Sequence, residues 1–241
     1  MTKRLRLRRI SLLAVAVVGI AVFIFTNPEA WNVAPPFDNR STPTQITHAD
    51  GALGALDELP VKGRAPKTGY ARAQFGNGWI SRQGCDTRNI ILARDMSQVE
   101  TNEKCQVTKG VLSDSYTGKQ IDFVRGPETS QAVQIDHVVA LSNAWQTGAQ
   151  QLMEARRIEL ANDPLNLLAV DGKANQQKSD SDAATWLPPY KPFRCQYIAR
   201  QIAIKKKYEL WVVPAEKKAM ERVLNSCPNQ AIPQNNADML Q

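Results

Sequence analysis

Hydrophobic and polar positions divide the chain into an apolar N-terminal segment, a polar stretch and a long region of mixed periodicity. Residues 10–25 are apolar except for Ser11, and five Lys and Arg residues precede them. This layout is typical of a secretory signal peptide or an uncleaved membrane anchor, and we assign residues 1–26 to it. Residues 27–67 are rich in Pro, Thr, Asn and Gly, which predicts a flexible linker with one short helix near residues 53–59.

Alternating and helical patterns then follow one another through residues 68–228, which we assign to one folded domain. The segments "VTKGVLSD" and "QIDFVRG" alternate around the turn sequence "DSYTGK", and "VQIDHVV" alternates in the same way, so these segments are predicted strands. Helical spacing extends from Asn143 to Asn162 and recurs in "RCQYIARQIAIKKKYEL" and "PAEKKAMERVLNSC". We expect an α+β domain, followed by a loose polar tail at residues 229–241.

The composition is that of a globular protein with little overall charge. Hydrophobic residues make up 43% of the chain and charged residues 22%, which excludes a mostly disordered protein. The formal net charge is +7, from 30 basic and 23 acidic residues. Removing the five basic residues of the N-terminus leaves 25 against 23, or +2. Any nucleic-acid surface must therefore be a local basic patch rather than a property of the whole chain.

Four cysteines follow the apolar segment, and export would place them in an oxidising compartment. An even number of cysteines predicts two disulfides, and three pairings are possible. The most local pairing joins Cys85 to Cys105 and Cys195 to Cys227, and we expect that one. The cysteines lack C-x-x-C spacing and have no histidine near them, which disfavours a zinc site.

The candidate chemistry centres on His137, one of only two histidines in the chain. Asp136 precedes it directly, Asn166 lies in "NLLAV", and Asn175 and Lys178 lie at a predicted helix start. An imidazole with a pKa near 6.5 takes a proton from water at neutral pH, and Asp and Asn oxygens suit Mg²⁺ or Mn²⁺. Consecutive strand residues point to opposite faces, so the strand must bend or end at Asp136 for both side chains to enter one site.

Each of these residues also has a structural interpretation. His137 is then a half-buried histidine with satisfied hydrogen bonds, and Asp136 ends a turn. Asn175 is then a helix N-cap, and Asn166 is structural under either interpretation.

Taken together, the ordered D-H, N-L and N-x-x-K elements resemble the HNH nuclease superfamily, whose core is a ββα-metal unit. The likeness is closest to a secreted branch related to the nuclease domain of type IV restriction enzymes. It rests on "CDTRNIIL", "DHVVALSNAW", "NDPLNLLAV" and "NQQKSD" and covers roughly residues 70–227. The fold that this resemblance implies is α+β, with a ββα-metal core, additional helices and the two disulfides.

The resemblance also implies roles for individual residues. Asp136 and Asn175 are the expected ligands of Mg²⁺ or Mn²⁺, and His137 is the expected general base. Asn166 is expected to brace the loop that bears His137 through backbone hydrogen bonds. Many relatives have histidine at the position of Asn175, so an amide here favours a hard ion over zinc or nickel.

Two basic residues are expected to contact phosphate. Arg88, in "CDTR", occupies a position that the branch shares, and Cys85 would hold its loop in place. Lys178 lies one helical turn after Asn175 and is expected to reach the leaving group.

The resulting prediction is an exported, metal-dependent endonuclease that hydrolyses nucleic acid, with DNA the expected partner and little sequence preference. We expect a secreted or extracytoplasmic monomer, attached to the membrane through residues 10–25 if that segment is not cleaved. Two alternatives remain open from the residues: an inactive exported binding or scaffold module, and a hydrolase of cell-wall material.

Overall fold

The computed structural model describes residues 51–233. The predicted N-terminal segment, most of the predicted linker and residues 234–241 lie outside this range. Within it, helices and antiparallel strands are mixed, as the sequence predicts. The helices are α1 (Ala52–Asp57), α2 (Thr87–Asp95), α3 (Leu141–Gln146), α4 (Glu154–Ala161), α5 (Gly172–Lys178), α6 (Arg194–Lys207) and α7 (Pro214–Leu224). The strands are β1 (Ser81–Arg82), β2 (Cys85–Asp86), β3 (Met96–Thr101), β4 (Val107–Ser113), β5 (Gln120–Val124), β6 (Val133–His137) and β7 (Leu167–Asp171).

Strands β3, β4 and β5 form one antiparallel sheet in chain order. The predicted hairpin is the β4–β5 pair, in which Ser113 lies opposite Gln120. Its turn begins at Asp114, whose carboxylate accepts hydrogen bonds from the backbone N–H groups of Tyr116 and Thr117. Gly118 completes the turn with φ +73°, a conformation that glycine adopts without strain.

Strands β6 and β7 pair separately, and α5 begins directly after β7. In this antiparallel pair His137 lies opposite Leu167 and Val133 opposite Asp171. The Asp171 side chain caps α5 by accepting from the N–H of Ala174. Position 172 must be glycine, because a Cβ there would lie 2.1 Å from the carbonyl oxygen of Gln131. The strand–strand–helix order therefore places the end of β6 beside the first turns of α5.

The single helical segment predicted for residues 143–162 is instead divided. It consists of α3, a 3₁₀ turn (Ala149–Gln151) and α4. Gly148 separates them with φ +129°, and a Cβ at this glycine would lie 3.2 Å from the Trp211 ring. The close approach of Trp211 thus ends the first helix and redirects the chain before α4.

The predicted linker is wrong for its last part, because residues 51–67 pack onto the domain. The side chains of Ala52 and Leu56 are fully buried in a hydrophobic cluster shared with α6 and α7. Val61 pairs with Val212 in an isolated parallel bridge. The spacing of Ala52, Ala55, Leu56 and Leu59 makes α1 amphipathic, and this apolar face outweighs the surrounding Pro and Gly content.

The predicted loose tail is also partly packed. The carbonyl of Gln230 accepts a hydrogen bond from the N–H of Ala52, and Ala231 forms a bridge with Gly51. The two ends of the described chain therefore hold each other, and a protein that began at residue 68 would lose α1 and this contact.

Both predicted disulfides are confirmed: Cys85 pairs with Cys105, and Cys195 pairs with Cys227. The first ties the β2–α2 junction to the turn before β4, and the second ties the first turn of α6 to the end of α7. Between residues 51 and 233 no helix has the length and apolar character needed to cross a membrane.

Candidate functional site

A cavity of about 670 Å³ lies over the end of β6 and the start of α5. It brings together four of the residues selected from the sequence, namely Arg88, Asp136, His137 and Asn175. The strand ends at His137, as the chemistry requires, so that Asp136 and His137 both border the cavity although they are consecutive. The site therefore combines a carboxylate, an imidazole, an amide and a guanidinium.

The His137 ring is held on two sides. Its Nε2 lies 2.9 Å from the carbonyl oxygen of Ala161 at the end of α4. A carbonyl oxygen only accepts, so this nitrogen carries the proton and Nδ1 has the free lone pair. The indole of Trp79 stacks on the imidazole with 5.7 Å between ring centroids and 11° between planes. The tautomer and the ring plane are thus fixed before any substrate binds.

Burial lowers the pKa of His137 from 6.5 to about 3. The hydrogen bond to Ala161 acts in the opposite direction, and the charges of Arg72 and Lys178 lower the pKa further. At neutral pH the imidazole is therefore uncharged, which is the form that accepts a proton.

This pKa predicts a pH dependence of stability for the metal-free protein. Between pH 6.5 and about 3 the unfolded chain binds a proton at position 137 that the folded chain excludes. The contribution of the neutral ring to stability is therefore complete above pH 6.5 and is lost as the pH falls towards 3, by at most about 1.4 kcal/mol per pH unit. Urea unfolding of wild type between pH 6.5 and 4 should show a steeper loss than that of His137→Gln. Equal slopes would contradict the buried, neutral ring.

The comparison between these two proteins isolates His137. Burial also raises the pKa of Asp136, which acts in the opposite direction on stability. Asp136 and the other carboxylates are present in both proteins, so their contributions cancel to first order.

Asn166 is fully buried and holds the loop that follows His137. Its Oδ1 accepts from the N–H of Val139 at 2.9 Å, and its backbone carbonyl accepts from the N–H of Val138 at 2.8 Å. Its Nδ2 donates to the carbonyl oxygens of Val139 and Leu160. The residue does not contact the cavity; it joins the ends of β6 and α4, which are the two elements that fix His137.

Asp136 is 5% exposed and makes two side-chain contacts inside the protein. The hydroxyl of Tyr116 donates to its Oδ2 at 2.5 Å, and Nζ of Lys178 donates to its Oδ1 at 3.0 Å. Burial raises the pKa of Asp136, while Lys178 and Tyr116 oppose that shift. The carboxylate is therefore fixed in direction, and each oxygen keeps one further lone pair.

Lys178 is placed differently from the expected contact with a leaving group. Its side chain is fully buried, and its Nζ donates to Asp136 and to the backbone carbonyl of His137 at 2.8 Å. Its ammonium is thus neither a solvated surface charge nor a group that faces substrate. Lys178 instead neutralises the charge of Asp136 and holds the end of β6 through the carbonyl of His137.

Asn175 is the fourth residue of α5 and not its N-cap, which is Asp171. Its Nδ2 donates to Oε1 of Gln134 at 2.9 Å. Gln134 is also a cavity residue, so the amide is oriented from within the site. Because this contact uses the NH₂ group, Oδ1 of Asn175 is left to accept a hydrogen bond or bind a cation.

The donor set of the cavity fits a hard divalent cation that is held loosely. Asp136 and Asn175 supply carboxylate and amide oxygens, which Mg²⁺ and Mn²⁺ prefer, and Mg²⁺ commonly keeps several waters. Between residues 51 and 233 no cluster of three His, Cys, Asp or Glu side chains has the arrangement of a metal site. This part of the chain therefore offers no closed site of the structural zinc type.

Arg88, on α2, borders the cavity from the side of the Cys85–Cys105 disulfide. Its side chain is half-buried and donates to the carbonyl oxygen of Val133 at 3.3 Å. Burial and the neighbouring charge of Arg125 lower its pKa. An anion in the cavity would offset both the burial of the Arg88 charge and its repulsion by Arg125.

Three residues near the site escaped the sequence interpretation, namely Arg72, Trp79 and Tyr116. Tyr116 lies in the predicted turn "DSYTGK", and the contacts of Trp79 with His137 and of Tyr116 with Asp136 depend on tertiary packing. One sequence signal was present for Trp79: it follows the glycine-rich "FGNG", which predicts a tight turn that presents a side chain.

Comparison with known proteins shows the family to which the chain belongs. Residues 86–223, more than half of the chain, match the family described as GmrSD restriction endonucleases, C-terminal domain. Over 189 residues the chain is 37% identical to a protein of Arthroderma benhamiae (strain ATCC MYA-4681 / CBS 112371) named "Uncharacterized secreted protein". That match covers 77% of this chain and 89% of the relative. The chain therefore belongs to the family formed by the C-terminal domain of GmrSD restriction endonucleases, an HNH-type nuclease family.

Proposed function

We propose that the protein is an exported, metal-dependent HNH-type endonuclease that hydrolyses phosphodiester bonds of DNA with little sequence preference. One observation carries this proposal. The neutral imidazole of His137 has its Nε2 proton bound to Ala161 and its Nδ1 free, in the same cavity as Asp136 and Asn175. The order β6, β7, α5 around that cavity supports a ββα-metal core.

In the proposed reaction Nδ1 of His137 takes a proton from a water molecule. The water oxygen forms a bond to phosphorus while the bond from phosphorus to the 3′ oxygen breaks, which leaves a 5′-phosphate and a 3′-hydroxyl. A Mg²⁺ or Mn²⁺ ion bound by Asp136 and Asn175 would supply positive charge beside the phosphate and the departing oxygen. The departing 3′ oxygen takes a proton from solvent, and the proton on His137 passes to solvent.

The low pKa of His137 is compatible with this role. Burial is the main cause of the low pKa of His137, and the charges of Arg72 and Lys178 lower it further in the free protein. A bound phosphate brings negative charge beside these groups and raises the proton affinity of the ring. Substrate binding would thus prepare the ring to accept the proton.

Four other residues orient the proposed base and metal ligand, and one arginine is proposed to bind phosphate. Asn166 and Trp79 fix the loop and the ring plane of His137. Tyr116 and Lys178 direct the Asp136 carboxylate. Arg88 is proposed to bind a phosphate that flanks the scissile bond.

Export is supported by three features. The four cysteines form two disulfides, which persist in oxidising compartments. The relative from Arthroderma benhamiae is named as secreted, and the N-terminus has a basic segment before an apolar one. A signal peptide and a membrane anchor would both deliver the domain outside the cytoplasm.

Metal dependence gives the direct test of the site. Plasmid DNA should be nicked by the full-length protein in Mg²⁺ or Mn²⁺, and a chelator should stop the reaction. Asn175→Ala should raise the metal concentration for half-maximal rate at least about tenfold, because it removes one of two protein oxygens. The stabilisation of the fold by Mn²⁺, measured as a shift in Tm, should fall in parallel.

Gln176→Ala is the matched control, since Gln176 is the exposed neighbour of Asn175 on the same helix. It should retain the wild-type metal requirement. Cleavage that is indifferent to the chelator would refute the metal-dependent mechanism, and an unchanged metal requirement in Asn175→Ala would refute the ligand assignment.

A further inference from the structure

Arg72 lies in a 3₁₀ turn (Arg72–Phe75), upstream of the region that the family match covers. Its exposed side chain borders the cavity that contains Asp136, His137 and Asn175. It also borders an adjoining cavity of about 180 Å³ whose wall again includes His137. Arg72 and His137 therefore line the same two cavities, and the charge of Arg72 acts on the imidazole.

We infer that Arg72 is a second catalytic residue, whose guanidinium binds a non-bridging oxygen of the scissile phosphate and stabilises the charge that develops there. This inference rests on the proposed nuclease function. It adds to that function a residue that neither the sequence motif nor the family match contains.

No residue between positions 51 and 233 engages the charge of Arg72 in a hydrogen bond or an ion pair. Most arginines between residues 51 and 233 donate to protein oxygens, among them Arg64, Arg88, Arg94, Arg125, Arg156, Arg157, Arg194 and Arg200. Within this described part of the chain, Arg72 makes no hydrogen bond or ion pair of its own, and neither do Arg82 and Arg222. Of these three, Arg72 alone borders the cavity. An unpaired guanidinium suits a tetrahedral anion, since it can donate two parallel hydrogen bonds.

The turn that presents Arg72 is rigid. Arg157, on α4, donates through Nε to the carbonyl of Gln74 at 2.8 Å and through a terminal nitrogen to its side chain at 3.1 Å. Phe75 is 2% exposed and packs edge-on against Trp145 and Tyr70. The backbone from which the Arg72 side chain extends is thus fixed, so its guanidinium stays within reach of the cavity.

Arg72 and Arg88 should have different effects on the kinetics. Arg88 is bound to the carbonyl of Val133, at the opposite end of β6 from His137. Four strand steps of about 3.3 Å separate those two positions by roughly 13 Å, too far for Arg88 to share the phosphate attacked at His137. Arg88 should therefore contribute to binding of a flanking phosphate, and Arg72 to the rate of the chemical step.

The test is the kinetics of cleavage of a labelled DNA oligonucleotide by full-length proteins. Arg72→Ala should lower kcat about 10²- to 10³-fold with KM changed less than about threefold, because it removes a donor to the oxygen on which charge develops. Arg72→Lys should recover only part of kcat, because ammonium cannot reproduce the paired hydrogen bonds. Arg88→Ala should mainly raise KM. Arg222→Ala, an exposed arginine on α7, is the matched control and should behave as wild type.

The affinity for DNA distinguishes a catalytic role of Arg72 from a role in substrate binding alone. In a His137→Ala background, adding Arg72→Ala should change the Kd for DNA only slightly, whereas adding Arg88→Ala should weaken binding. Since the Arg72 side chain is exposed, Tm should stay at the wild-type value in every Arg72 variant.

The experiment distinguishes a failure of the Arg72 proposal from a failure of the nuclease proposal. Wild-type protein that cleaves while folded Arg72→Ala keeps kcat within about threefold would overturn the role of Arg72 and leave the nuclease proposal standing. A raised KM with unchanged kcat would likewise assign Arg72 to binding alone. Wild-type protein that fails to cleave in Mg²⁺ or Mn²⁺ would overturn both proposals.

Discussion

Replacing His137 with alanine is expected to lower kcat for DNA cleavage by about 10²- to 10⁴-fold, the contribution of a positioned general base. The physical reason is that no other imidazole lies in the described part of the chain, and the nearby carboxylate of Asp136 is already held by Tyr116 and Lys178. KM should change little, because the ring acts on the attacking water rather than on the phosphate. Single-turnover cleavage of an oligonucleotide at saturating metal measures the effect.

The control for this variant is the other histidine. His48→Ala makes the same chemical change at a position outside the described residues and should keep wild-type kcat. Because the ring of His137 is buried against Trp79, the Tm of His137→Ala must be recorded, and His137→Gln supplies a second inactive variant with a side chain of similar length. If either folded variant cleaves at the wild-type rate, His137 is not the base.

Replacing Lys178 with methionine is expected to destabilise the fold by about 3–5 kcal/mol. The variant leaves the carboxylate of Asp136 buried without its counter-charge, since Lys178 and Asp136 are 0% and 6% exposed in their side chains. Unfolding in urea at pH 7 without metal measures the loss. The double variant Asp136→Asn with Lys178→Met removes both charges and should recover a large share of the stability.

Lys206→Met is the matched control for this effect. Lys206 pairs with Glu58 at 2.6 Å, but both side chains are more than half exposed. Loss of such a surface pair costs at most about 1 kcal/mol. Two results would show that Lys178 is not the internal counter-charge: a loss no greater in Lys178→Met than in Lys206→Met, or no recovery in the double variant. If Lys178→Met does not fold but the double variant does, that result would support Lys178 as the counter-charge of Asp136.

The sequence predicts which residues of the D-H and N-x-x-K elements border the cavity better than it predicts the residues that pack around them. The residues at the end of β6 and the start of α5 meet because β7, which precedes α5, pairs with β6. That pairing could be anticipated, since the order of the D-H, N-L and N-x-x-K elements resembles a known unit. The two disulfides are the most local of the three pairings that the sequence leaves possible.

Other features could not be derived because they depend on long-range packing. The spacing from Asn175 predicts that Lys178 contacts the leaving group, and only the buried position of Asp136 makes Lys178 an internal counter-ion. The linker was misjudged because its Pro and Gly content concealed the apolar face of α1 around Leu56. Trp79 stacks on His137 and Arg72 lines the same cavities as His137, and no spacing in the sequence encodes either arrangement.

The most direct test of the proposed mechanism is an analysis of the ends that the purified full-length protein produces on a defined DNA duplex. The account predicts fragments with 5′-phosphate and 3′-hydroxyl ends, formed by wild type in Mg²⁺ or Mn²⁺ and absent with chelator or with His137→Ala. Intact DNA under all these conditions, or equal cleavage by wild type and His137→Ala, would contradict it.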